Sequence, residues 1–262
     1  MSGVSGLSGL SALQKRAGGE DGGDPIGDAL RADAVAYWKM DEASETRVDA
    51  TGNGNDLTPM NTPSGTTGKV GNGVGLTATS TQYLKRADNA DLSTGQTDFT
   101  FTFWVKFNSL PVLGERQDII IKRFEVYEPV EEITLEYEIY IATFDPGGTL
   151  FSYSSSDPVK SLDLPSSPEA QVDTWYFVEV AFDWGTPPTA SMRINNGSPN
   201  TYSEPDYVGA DNAGDFNIGY DSFYARGAVD GIVDEVGFWK RLLTTDERSY
   251  LYNSGNGKTL YP

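Results

Sequence analysis

Residues 99–107 read FTFTFWVKF. In an extended chain successive side chains point to opposite faces, so Phe99, Phe101, Phe103, Val105 and Phe107 share one face and Thr100, Thr102, Trp104 and Lys106 the other. A stripe of that kind is the core side of a sheet, and we read it as the centre of a sandwich. Comparable runs recur with turn signals between them: AVAYWKM (34–40), DIIIKRF (118–124), ITLEYEIYIATF (133–144), TWYFVEVAF (174–182), ASMRIN (190–195), DFNIGY (215–220) and GIVDEVGFWK (231–240). Most alternate and are rich in aromatic and β-branched residues, so the expected class is all-β and antiparallel. One short helix is expected at 245–253. Thr244 and Glu247 have the spacing of a capping box, Leu251 and Tyr252 lie in the last turns, and Gly255 is placed to end it.

Composition narrows the chemistry. The 262 residues, 38% hydrophobic and 12% aromatic, suffice for one large sandwich or two small domains. A formal net charge of -19 repels nucleic acid and anionic lipid surfaces, so neither is an expected partner. The chain has no cysteine and no histidine, which excludes Ser-His-Asp triads, thiol nucleophiles, disulfides and Cys/His zinc sites. What is left is carboxylate, amide, hydroxyl and aromatic chemistry. No segment approaches ~18 consecutive apolar residues, so no membrane span is expected. The N-terminus lacks the compact apolar run of a signal peptide and places its positive charges after its apolar residues, so export by that route is not expected.

Residues 1–32 form a Gly/Ser-rich arm, and the character of the chain changes at about residue 33. The arm opens with four triplets of small, small and apolar residues, carrying Val4, Leu7, Leu10 and Leu13. So little chain cannot bury them. Composition alone suits a loose tail equally well, and we take the arm as an anchor on another subunit or a larger assembly.

The stretch DATGNGNDL (49–57) is too polar and too rich in Gly and Asx for a strand or helix. Asp49, Thr51, Asn53, Asn55 and Asp56 offer oxygen ligands of the kind Ca²⁺ prefers. An EF-hand is excluded because Met60 stands where the bidentate Glu is needed, and a phosphate loop because no Lys and no helix follow. Asp and Asn also dominate plain turns.

The order of AVAYWKMDEASETRVDATGNGNDLT, GKVGNGVGL, YLKRADNADLSTGQTDFTFTFWVKF, WYFVEVAFD, INNG and GIVDEVGFWKRLLTTDERSYLYNSGNG resembles the concanavalin A-like superfamily, of the laminin-G/pentraxin type, over residues 34 to about 257. The resemblance implies a two-sheet antiparallel jelly-roll sandwich over residues 33–262. It also implies carbohydrate or protein binding, often with calcium. Such domains occur on secreted bacterial enzymes and on phage structural proteins. The Gly/Ser arm and the missing signal peptide fit the second group better, which would place the chain on a virion among other subunits of an oligomeric assembly. In this topology the last strand runs close to the first, so Asp41, Asp49, Asn53, Asn55 and Asp234 are expected to converge on a structural Ca²⁺ ion.

For glycans, an aromatic platform beside Asp/Asn groups is the usual site, and NIGYDSFYARG (217–227) is the best candidate, with Tyr220, Asp221, Phe223 and Tyr224. An enzyme is disfavoured. Glu136 and Glu138 share a strand face, but the superfamily's glucanase pattern of Glu, Asp two on and Glu three further on fails at Glu138 and Ile141. We read both as a solvent-facing edge. The expectation is a non-enzymatic, virion-associated decoration protein that displays a domain for glycan or host-surface adhesion. A secreted or surface carbohydrate-binding module is the alternative, and a glycoside hydrolase a lesser one.

Overall fold

The computed structural model describes residues 23–126, 132–145, 148–156, 161–166, 168–209 and 211–262. Val4, Leu7, Leu10 and Leu13 lie outside the described residues. Two antiparallel sheets face each other. The first runs, in spatial order, β13 (Asn200–Ser203), β12 (Thr189–Ile194), β11 (Trp175–Asp183), β6 (Phe99–Phe107), β15 (Gly231–Trp239), β4 (Asn72–Leu76) and β3 (Ser64–Thr67). The second runs β10 (Ser161–Ser166), β9 (Thr149–Ser156), β8 (Glu132–Thr143), β7 (Arg116–Val126), β14 (Phe216–Ile218), β5 (Tyr83–Arg86) and β2 (Thr58–Met60).

The Phe face of β6 packs where alternation puts it. All five of its apolar residues lie in the main core, against Ile120, Tyr137, Ile139, Phe151 and Phe216 of the opposite sheet. Phe101 is the hub, its ring 4.4 Å from that of Phe238 and 5.0 Å from that of Tyr137.

The other face of β6 is buried as well. Trp104, Phe177, Trp239 and Tyr37 form a second apolar layer, closed by Leu30, Leu251 and Leu260. Leu251 sits on the helix α2 (Thr245–Tyr252), which has the expected capping box between Thr244 and Glu247. Leu30 belongs to α1 (Pro25–Asp33), capped by Asp24 with Pro25 at its start. Thus residues 24–32 of the segment expected to be an arm cap and form a helix packed on the sandwich. Trp239 Nε1 donates to the Leu30 carbonyl at 2.9 Å, and the Arg31 guanidinium donates to that of Leu260 at 2.8 Å.

The edge of β15 is shared. The strand β1 (Ala34–Trp38) pairs with Val236–Trp239, and β4 pairs with Gly231–Val233. Between them the register against β6 shifts at Asp234–Gly237, and Glu235 takes φ 48°, the left-handed region that residues other than Gly seldom adopt. That bulge leaves Glu235 and Val236 out of the ladder with β6, directly after Asp234, which pairs with Trp104.

Candidate functional site

The five expected calcium ligands divide into two groups. Asp49 Oδ1 accepts from the backbone N–H of Tyr37 and Thr51, both at 3.1 Å, and from the Thr51 hydroxyl at 2.7 Å, while its Oδ2 accepts from Asn55 N–H at 3.0 Å. The Asn53 and Asn55 amides donate to the Val35 carbonyl, and Asn55 Oδ1 accepts from Asn89. These three side chains therefore fasten the 49–57 loop to β1, with their oxygens largely committed to N–H donors.

Asp41 and Asp234 meet elsewhere, on the turn of the β3–β4 hairpin. Asp234 Oδ2 accepts from the N–H of Lys69 and Val70 at 2.7 and 2.9 Å, and Asp41 Oδ1 from that of Asn72 at 2.9 Å. Asp234 is fully buried and its Oδ1 has no hydrogen-bond partner. Burial pushes its carboxyl up to about 7, and the nearby Asp41 charge adds to the shift. Its neighbour Glu235, hydrogen-bonded to Tyr37 Oη, is pushed up to about 8, also by burial. A buried carboxylate oxygen without a donor, next to a second carboxylate, suits a hard cation. Of the five residues, Asp41 and Asp234 fit that role.

The reading of Glu136 and Glu138 as a solvent-facing edge is corrected by the structure. β8 lies inside the sheet, between β7 and β9, and both side chains are buried. Glu136 pairs with the buried Lys122 at 2.8 Å and accepts from Thr94. Glu138 pairs with Arg123 at 3.0 Å and with Arg116. Each carboxylate is held by fixed cations.

Glu138 opens onto the charged floor of a larger feature. It lies with Asp118 and Asp221 in a group of three buried carboxylates, one oxygen of each within 4.8 Å of the others. Arg116 bonds Asp118 at 2.6 Å, and both Arg123 and Arg226 approach Asp221 Oδ2 at 3.6 Å. Burial nevertheless raises the Asp118 carboxyl to about 6 and lowers the pKa of Arg123. Beside this network a cavity of about 350 Å³ opens between β5, β7 and β14. Tyr83, Lys85, Arg123, Asn217, Asp221 and Phe223 are among its walls.

The segment expected to contact glycan borders this cavity. Asp221 and Phe223 line it. Tyr220 packs against the lining residue Tyr83, with ring centroids 5.3 Å apart. Tyr224 lies under the Arg123 and Arg226 guanidiniums, at 4.7 and 4.8 Å from their carbons. The loop is held from within: Asp221 Oδ1 accepts from the N–H of Phe223 and Tyr224, and Asp118 N–H donates to the Gly227 carbonyl at 2.6 Å. Gly227, at φ 69°, has to be glycine, because a Cβ there would stand 1.8 Å from Asp118 Oδ2. Sequence reasoning missed Lys85 and Arg123. They arrive from β5 and β7, and only the sheet order brings them beside Asn217 on β14, the first residue of the expected 217–227 segment.

Comparisons with known proteins match this architecture. The family model Laminin_G_3, described as the concanavalin A-like lectin/glucanases superfamily, matches residues 78–247. No curated protein sequence matches the chain. Among solved structures, the binding domain of Paraclostridial Mosquitocidal Protein 1 is similar over 86% of this chain and 53% of its own, with TM-score 0.67 and 17% identity. Domain 4 of AbnA, a GH43 extracellular arabinanase from Geobacillus stearothermophilus solved with arabinotriose, is similar over 86% of this chain and 98% of its own, with TM-score 0.58 and 16% identity. A structure of botulinum neurotoxin type C, whose cell entry depends on two ganglioside molecules, is similar over 87% of this chain and 52% of its own, with TM-score 0.62 and 11% identity. The chain thus spans about half the length of the toxin structures and nearly all of the arabinanase domain. At such identities the likeness is one of fold, and the family match carries the assignment: the chain belongs to the laminin-G-type family of the concanavalin A-like lectin/glucanases superfamily.

Proposed function

We propose that the chain is a non-catalytic binding domain that takes a saccharide in the cavity between β5, β7 and β14. The observation that carries the reading is the composition of that wall: the half-exposed ring of Phe223 beside Asn217, Lys85 and Asp221, all on strands or a tethered loop. An aromatic face set among preorganised donors and acceptors is what a sugar ring requires. The fold neighbours add support, since one was solved with arabinotriose and the cell entry of another depends on interaction with two ganglioside molecules. Binding without catalysis is favoured because Glu136 and Glu138 are tied up in buried ion pairs. Titration of an oligosaccharide panel by calorimetry tests it. Phe223→Ala and Asn217→Ala should each weaken binding about tenfold, the loss of one stacking or hydrogen-bond contact, and unchanged affinity in both would remove the assignment of this cavity.

Two further parts of the reading have narrower support. A structural Ca²⁺ ion at Asp41 and Asp234 rests on the unpartnered Asp234 Oδ1. EDTA should then lower the melting temperature and Ca²⁺ restore it, and a melting curve indifferent to both rejects the ion. Attachment to other subunits, as on a virion, rests on the small and apolar triplets of residues 2–13. Removing residues 2–22 should abolish incorporation into the parent particle, and full incorporation of the shortened chain would reject the anchor.

A further inference from the structure

Within that saccharide reading, on which this rests, we infer that the cavity selects neutral sugars and rejects those bearing a carboxylate. Its formal charges balance: Lys85 and Arg123 are matched by Asp215 and Asp221. They are also engaged with one another. Lys85 Nζ lies 2.5 Å from Asp215 at the rim, where each side chain is about one third exposed. Arg123 is held at its Nη2 by Glu138 and stacks on Tyr224. Among the described lining residues a ligand carboxylate finds no unpaired cation. It would have to share Lys85 with Asp215 and sit beside Asp215 and Asp221, above the buried Asp118 and Glu138, in a chain of net charge -19.

A hydroxyl meets no such obstacle, because it donates and accepts at once. The wall offers both functions side by side at two places. At the rim the Lys85 ammonium donates next to the Asp215 carboxylate. On β14 the Asn217 amide carries both, with its Oδ1 taking the Ser222 hydroxyl at 3.3 Å. Deeper in, Asp221 Oδ2 is buried between the Arg123 and Arg226 guanidiniums, 3.6 Å from the Nε of each, and so closed to a ligand. A carboxylate supplies acceptors alone and would leave the Asp215 oxygens facing like charge. Vicinal diols of an uncharged ring fit the whole arrangement.

The test uses the full chain and pairs of probes differing in charge: galactotriose with trigalacturonic acid, and lactose with 3′-sialyllactose, within a wider panel of neutral pentose and hexose trisaccharides and their uronic acid counterparts. The inference expects neutral members to bind and their acidic counterparts to bind at least about tenfold more weakly. Neutral affinity should barely change between about 0.02 and about 0.5 M salt, because no net charge is neutralised on binding. Asp215→Asn, which frees the Lys85 ammonium, should narrow the preference by strengthening the acidic probes. Acidic probes that bind as well as or better than neutral ones overturn the selectivity and leave the saccharide site standing. A folded chain that binds no member of either set overturns both.

Discussion

Asp234 and Glu235 show how a single backbone irregularity creates chemistry. The bulge lets β15 exchange one neighbour for another, and the two acids at the changeover are buried by that exchange. Burial raises the first from 3.8 to about 7 and the second from 4.5 to about 8. Both groups hold a proton more tightly folded than unfolded. Their contribution to stability is therefore complete below about pH 4 and is lost as pH rises through 7 to 8. In metal-free buffer the melting temperature should fall between about pH 5 and about pH 8.5, and Asp234→Asn should flatten part of that slope. A flat profile in the parent chain would show that these acids ionise without cost. Sequence reading singled out Asp234 and Asp41 but grouped them with Asp49, Asn53 and Asn55. The error has a simple cause: loop residues with free oxygens and loop residues that satisfy their own backbone look alike until the hydrogen bonds are seen.

At the scale of elements, what was legible followed from period. β6 spans Phe99–Phe107 as its alternation requires, and α2 begins where Thr244 and Glu247 place it. The strands β2, β3, β4 and β13 were not legible, since TPM, SGTT, NGVGL and NTYS are short and carry little apolar alternation. β9 (TLFSYSSS) was missed because serine fills its polar positions and reads as loop. α1 was hidden for another reason: its composition resembles the polar segment before it, and its apolar residue Leu30 gains a partner only when Trp239 and Leu260 are in place. Leu30→Ala should destabilise the domain by about 2–5 kcal/mol, as for other fully buried leucines. Deleting residues 2–22 should leave the melting temperature unchanged, whereas deleting 2–33 should lower it. Equal melting temperatures for the two truncations would mean that α1 does not support the second apolar layer.

At the scale of the molecule, the layers divide the work. α1, α2 and the C-terminal residues Leu260 and Tyr261 pack over the outer side of the first sheet. The second sheet keeps polar and charged side chains on β7, β8 and β14, and the cavity lies there. Sequence reading found one wall of it, the 220–224 segment, because aromatic and Asx residues fall close together in the chain. The opposite wall depends on β5, β7 and β14 being neighbours, which no local pattern states. The central claim is that this cavity holds a saccharide. Its most direct test is amide and side-chain NMR of the labelled chain titrated with a neutral trisaccharide from the panel that binds. The account predicts shifts concentrated on Tyr83, Lys85, Asn217 and Phe223, with the 41–57 region unmoved. Shifts concentrated at Asp41 and the 49–57 loop, with the β5–β7–β14 wall silent, would contradict it.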